Sequence, residues 1–142
     1  TEVNDLNVGR TYISGIGATN TAAIAFAGYT GSNYVGSTEL WNGTNWTEVN
    51  NLNTGRNASS GSYESSTAAL AMGGAPYPSC GNKTEVWNGT NWTEDANMST
   101  ARGYLAGGGT STAGLVFGGQ PSGTATEEFT GAGPVTKTFT DS

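Results

Sequence analysis

The strongest constraint on this chain is an internal copy. Thr38-Glu39-Leu40-Trp41-Asn42-Gly43-Thr44-Asn45-Trp46-Thr47-Glu48 returns 46 residues later as Thr84-Glu85-Val86-Trp87-Asn88-Gly89-Thr90-Asn91-Trp92-Thr93-Glu94, with ten of eleven positions identical. A period of this length points to a solenoid, a propeller or an array of stacked units. The element itself reads as a β-hairpin. Two Trp-bearing strands flank Asn-Gly, whose residues tolerate the positive φ that a tight hairpin turn demands.

The repeat extends beyond the hairpin. Thr1 to Arg10 returns as Thr47 to Arg56 and, more weakly, as Thr93 to Arg102, so Arg10, Arg56 and Arg102 are spaced by 46 and 46. The units are 1–46, 47–92 and a divergent 93–142. In the third, Glu127-Glu128-Phe129 stands for the Glu-x-Trp group and Phe139-Thr140 for the final Trp-Thr.

Four strands are predicted per unit. The first is built of small residues, at Ser14 to Thr19, Ser59 to Ser62 and Tyr104 to Gly108. The second is apolar, at Ala22 to Ala27, Ala68 to Met72 and Leu115 to Phe117, and ends at Gly28, Gly73-Gly74 or Gly118-Gly119. The third and fourth carry Trp41 and Trp46, then Trp87 and Trp92. Small innermost strands suit a crowded axis. Bulky indoles on the outer strands suit the wedge between neighbouring units.

Composition agrees with an all-β fold. Of 142 residues, 23 are Gly, 35% are hydrophobic and only 11% are charged. No stretch approaches the ~18 apolar residues of a membrane span. Net charge is −6 with five Lys and Arg, so no basic patch can neutralise phosphates, and neither nucleic acid nor an anionic membrane is an expected partner. Cys80 is the single cysteine and is read as a loop bystander. The start at Thr1 predicts a processed chain or part of a longer polypeptide.

The Arg-led small strand, the apolar strand ending in a Gly pair and the two later aromatics resemble the kelch repeat. Arg56, Gly73-Gly74, Trp87 and Trp92 match it in the second unit. Arg10, Gly28, Trp41 and Trp46 match in the first, with Ala27 in place of one Gly. Arg102, Gly118-Gly119, Phe129 and Phe139 match in the third, with both Trp lost. This resemblance implies a kelch-like β-propeller segment of three four-stranded blades. More narrowly, Trp-Asn-Gly-Thr-Asn-Trp-Thr-Glu with Ala-Ala-Leu-Ala-Met-Gly-Gly is similar to kelch-like arrays in structural proteins of marine tailed phages. So is the closing run Val135 to Ser142. That implies a virion setting, with other virion proteins or a cell-surface receptor or glycan as partners.

Natural propellers have about four to eight blades, so three are expected to be completed to about six. Either a second chain forms a homodimer with this one, or upstream repeats supply the rest.

Candidate site residues are weighed against structural roles. There is no His, which removes the usual general base, and Glu127-Glu128 are adjacent strand residues that point to opposite faces. No enzyme, metal or cofactor is expected. Arg10, Arg56 and Arg102 are read as tying each unit's first strand to Glu39, Glu85 and Glu127, rather than as anion ligands. The four Trp are read as packing between units rather than sugar stacking. The sequons at Asn42, Asn45, Asn57, Asn82, Asn88, Asn91 and Asn97 arise mostly from the repeat turn. The loops between the second and third strands differ most between units. Tyr29, Asn33, Tyr34, Tyr77 and Gln120 on them are the candidate partner-binding residues. The reading is a non-enzymatic interaction module, with a lectin-like glycan binder as the alternative.

Overall fold

The computed structural model describes residues 1–57, 60, 61, 64–76, 78–130 and 138–141, with backbone alone at 61 and 138–141. No helix occurs among the described residues. The chain is all-β, in three antiparallel sheets. Sheet 1 holds β1 (Ser14–Thr19), β2 (Ala22–Phe26), β3 (Thr38–Trp41) and β4 (Trp46–Val49). Sheet 2 holds β5 (Ser60–Gly61), β6 (Ala69–Met72), β7 (Thr84–Trp87) and β8 (Trp92–Glu94). Sheet 3 holds β9 (Ala106–Gly109), β10 (Ala113–Phe117), β11 (Thr126–Thr130) and β12 (Thr138–Asp141). Each is an up-and-down meander in chain order.

Corresponding strands pair in one register. Trp41 opposes Trp46 and Trp87 opposes Trp92, with ring centroids 5.4 Å apart in both hairpins. Phe129 opposes Phe139 in the third sheet. At the turns, Asn42 Oδ1 accepts from the backbone N–H of Thr44 and Asn45, and Asn88 Oδ1 accepts from those of Thr90 and Asn91. The hairpin loops are thus four residues long, 42–45 and 88–91, closed by the Asn side chain, and only Gly43 and Gly89 take a positive φ, at 92° and 94°, so the two-residue turn with both residues left-handed that Asn-Gly suggests is not formed.

Some predicted limits shift for a backbone reason. β2 stops at Phe26 because Ala27 adopts a left-handed φ of 62°. The equivalent residues Gly73 and Gly118 have φ of 64° and 68°, so the Gly pair supplies a left-handed exit from the second strand. Tyr104, predicted inside a strand, has φ 56° and precedes β9. Ser59 and Ser62, at the ends of a predicted strand, lie outside the described residues. The unit boundaries drawn after Trp46 and Trp92 fall inside β4 and β8. A repeat can be cut at any phase, whereas a sheet is cut where the chain leaves it.

The segments after β4 and β8 cross to the next sheet. From sheet 1 the segment reaches sheet 2, where Asn50 Nδ2 donates to the Thr90 carbonyl and to Asn91 Oδ1. Asn4 makes the same two bonds to Thr44 and Asn45 of sheet 1. First strands lie side by side, β1 near β5 and β5 near β9, so the sheets converge along that edge. There, a Cβ added to Gly107 would sit 2.6 Å from the Leu115 carbonyl oxygen, which explains the small residues.

Two apolar clusters lie between sheets. The first joins Ile16, Ile24 and Phe26 of sheet 1 and Leu52 of the crossing segment to Ala69, Ala71, Trp87 and Trp92 of sheet 2. Phe26 and Trp92 meet at 4.9 Å, and the Trp92 indole N–H donates to Thr38 Oγ1 at 3.1 Å. The second joins Leu70 and Met72 of sheet 2, with Met98 and Leu105, to Val116 and Phe129 of sheet 3. β6 is therefore buried on both sides, Ala69 and Ala71 facing one way and Leu70 and Met72 the other. Each large side chain so buried contributes about 1.5–3 kcal/mol.

Candidate functional site

Two groups of residues recur in every sheet, and they do different things. The first is the Arg–Glu pair. Arg10 meets Glu39 at 2.5 Å, Arg56 meets Glu85 at 2.5 Å and Arg102 meets Glu127 at 2.8 Å, with all six side chains at 0% exposure. Each Glu sits on a third strand and each Arg just before a first strand. The guanidinium also donates to carbonyls at the end of the second strand, Ala27 for Arg10, Ala71 for Arg56 and Gly118 for Arg102.

The carboxylate closes the other half of the knot. Glu39 Oε2 accepts from the backbone and side chain of Asn7 at 2.7 and 2.9 Å, and Glu85 Oε2 accepts from Asn53 at the same distances. Ser99 takes that place against Glu127. One buried pair thus locks the crossing segment, the second strand and the third strand of its sheet together. Burial pushes the Glu39 carboxyl up, but the bonds from Arg10, Asn7 and Val8 outweigh it and hold it below the ordinary carboxylate value. With no exposed atom, these pairs present nothing to an external anion. Among the described residues, Arg56 Nε and Arg102 Nε have no hydrogen-bond partner.

The indoles divide. Trp87 and Trp92 are buried between sheets 1 and 2. Trp41 and Trp46 belong to neither inter-sheet cluster, so packing between units holds for only two of the four within this chain. Trp41 is nonetheless buried, its N–H donating to the Asn20 carbonyl across its own sheet, while Trp46 is half-buried. Position in the fold separates them: among the described residues the Trp-bearing face of sheet 2 packs on sheet 1, whereas that of sheet 1 packs on no other sheet.

The second recurring group lies at the end of each sheet where the second-to-third-strand loop emerges. The residue after each Arg bridges to that loop, Thr11 to Tyr29, Asn57 to Ala75 and Gly103 to Gln120. In sheet 1 the loop carries Tyr29 and Tyr34, whose rings meet at a tilt of 48° with centroids 5.1 Å apart. Tyr29 Oη donates to the Gly31 carbonyl, and Asn33 closes the turn by bonding Thr30. Tyr77 lies outside the described residues. Gln120 is exposed and bonds Gly103 through its backbone.

Two tyrosines missed from the sequence join this end. Tyr12 and Tyr104 follow Arg10 and Arg102 by two residues, with φ of 53° and 56° and exposures of 61% and 55%. The left-handed backbone costs a residue with a Cβ about 1–2 kcal/mol. The shared offset from the repeat Arg was the signal available in the sequence.

Elsewhere, Glu127 is buried and Glu128 exposed on the opposite face, so the two do not share a site. Cys80 lies in the loop between β6 and β7, where it is buried; its backbone N–H and thiol both reach the Pro76 carbonyl, and burial pushes its thiol pKa up. Among the described residues no group of three or more His, Cys, Asp or Glu could hold a metal ion.

Neither a family model nor a curated protein matches the sequence. Among solved structures, the fold is similar to that of YjhT, with a TM-score of 0.73 at 12% identity, over 96% of this chain and 47% of that one. The likeness is one of fold. The chain spans about half the length of that protein.

Proposed function

We propose that this chain is a non-enzymatic structural and interaction module, three blades of a kelch-like β-propeller completed to about six. Its setting is a phage virion, as a tail, neck, fibre or decoration component that attaches to other virion proteins or to a host surface. One observation carries the reading. The repeated charges are consumed inside the sheets, while the exposed aromatics Tyr12, Tyr34 and Tyr104 gather where the divergent loops emerge. A rigid scaffold offering rigid, amphipathic tyrosines is the chemistry of a recognition surface. Convergence of the first strands on one edge, and the half-length match to a larger protein of similar fold, support the propeller.

A lectin-like glycan binder is the second reading, favoured by the paired rings of Tyr29 and Tyr34, since tyrosine rings stack on sugars. A glycan array separates the two. Saturable binding to one sugar class, lost in Tyr34→Ala, establishes the lectin. No glycan binding, together with detection in purified virions by mass spectrometry, supports the virion component. Absence from virions overturns it.

A further inference from the structure

We propose that the two end sheets are closed by a second copy of this chain, head to tail. The Leu115 and Phe117 face of sheet 3 in each copy receives the Trp46 face of sheet 1 in the other. The proposal rests on the blade reading above and names the partner that completes it.

The repeat makes every sheet two-faced. Second strands carry large residues on one side, Ile24 and Phe26, Leu70 and Met72, Leu115 and Phe117. The other side of the same strands is small, Ala23 and Ala25, Ala69 and Ala71, Gly114 and Val116. Both internal junctions join the large face of the earlier sheet to the small face of the later one. Sheet 3 keeps its large face open, with Leu115 37% and Phe117 44% exposed, whereas Ile24, Phe26, Leu70 and Met72 are buried. Sheet 1 keeps its small, Trp-bearing face open. Leu6 is half-buried, while its equivalents Leu52 and Met98 are buried at the two junctions.

The internal junctions also dictate the bonds. Trp92 Nε1 donates to Thr38 Oγ1 of the preceding sheet. Shifted by the repeat, Trp46 Nε1 donates to Thr126 Oγ1 of the second copy. Gly28 N–H donates to the Arg56 carbonyl at 2.8 Å and Gly74 N–H to the Arg102 carbonyl at 3.0 Å. The same step assigns Gly119 N–H to the Arg10 carbonyl of the second copy. On this face a hollow of about 260 Å³, walled by Ala113, Leu115, Glu128 and Thr130, leaves room for an incoming side chain.

A second copy fits better than an unrelated protein because each open face matches the opposite end of the same chain. Two copies use both faces twice and leave none over, a closed twofold pair of six sheets, within the natural range of propellers. The half-length match to YjhT agrees with two such halves making one whole. One departure marks the junction. Glu128 pairs with Leu115 where Leu40 and Val86 pair with Ile24 and Leu70, so a carboxylate stands at the rim of the open face.

The test is the mass in solution by light scattering, read beside near-ultraviolet circular dichroism from the Trp87–Trp92 junction. The expected mass is about twice 14.4 kDa, falling to one copy in Leu115→Asp/Phe117→Asp with the dichroism retained. Glu128→Leu is expected to tighten the pair about tenfold or more, the worth of one buried leucine. Dilution of the wild type should red-shift a fluorescence component absent from Trp46→Phe, a readout that survives if the double variant fails to fold. A single-copy mass with the dichroism intact overturns the second copy and leaves the blade reading standing. Loss of the dichroism in the wild type sinks both. A pair indifferent to Leu115→Asp/Phe117→Asp, or a mass that keeps growing with concentration, overturns head-to-tail closure.

Discussion

The junction between sheets 1 and 2 and that between sheets 2 and 3 obey one rule with different materials. In the first, Phe26 and Ile24 press on the alanines of β6 and a Trp closes the outer edge, its N–H bonded across to Thr38. In the second, Leu70 and Met72 press on Gly114 and Val116, and Phe129 stands in the place of Trp87. Gly114 has no room to grow: a Cβ there would lie 2.6 Å from Leu70 Cδ2. The second junction adds a polar clamp that the first lacks the residues for. Ser111 donates through its backbone and hydroxyl to Glu64 Oε2 at 2.8 and 2.7 Å, whereas Ala18 occupies the repeat position of Glu64. Large-into-small packing is therefore the conserved requirement of the stack, and aromatic content and clamps are exchangeable. The difference teaches that a repeat need preserve face volumes rather than residue identities.

The comparison can be broken in four places, taken from the largest expected effect down. Arg56→Ala strands a buried Glu85 carboxylate between both junctions and should destabilise by about 4 kcal/mol in urea unfolding. An unchanged melting temperature would refute the structural role of the repeat pair. Trp92→Ala empties the first junction and should cost about 3–5 kcal/mol, while Trp46→Ala, measured on the single-copy Leu115→Asp/Phe117→Asp background, should cost far less. Equal losses would mean that burial between sheets is not what separates the two indoles.

The Gly pair tests packing at the second junction. Gly73→Ala forces a Cβ to 2.7 Å from Leu105 Cδ2 and 2.9 Å from the Arg102 carbonyl, and about 2–3 kcal/mol should be lost. At Gly118 the nearest such contact within the chain is 3.6 Å, to the Gly123 carbonyl, so Gly118→Ala, measured on the single-copy Leu115→Asp/Phe117→Asp background, should cost only the left-handed backbone term of about 1 kcal/mol. The effect of acid is the smallest. Bonds from Ser111 hold the Glu64 carboxyl below its ordinary value, although burial opposes them. A carboxyl depressed on folding stabilises above its unfolded pKa, and that stability is lost as pH falls through the folded one. Glu64→Gln should therefore flatten part of the acid limb of a stability–pH profile, to which Glu39 also contributes through its own depressed pKa, whereas Ser111→Ala would leave the backbone bond in place. An unaltered acid limb would show the clamp to be inert.

Much of this was readable from residues alone because it is local. Asn42-Gly43 and Asn88-Gly89 specify tight turns, and alternation along each strand specifies its two faces. The Arg–Glu partners could be assigned because both members recur with the same period. Other features were not legible. Tyr12 and Tyr104 are exposed at a left-handed φ, and no propensity rule places a tyrosine there. Cys80 is buried by a turn closed on Pro76, a contact that the cysteine's solitary position does not suggest.

The chain's own letters thus determined its period, its hairpins, the pairing of its charges and the small inner strands. Only the tertiary structure decided which copy of a repeated residue is covered. Trp46 and Trp92 sit in the same local sequence, yet one is half-buried and the other enclosed. The physical reason is that local sequence sets the direction of a side chain, whereas burial needs a second surface, and that surface belongs to a neighbouring sheet.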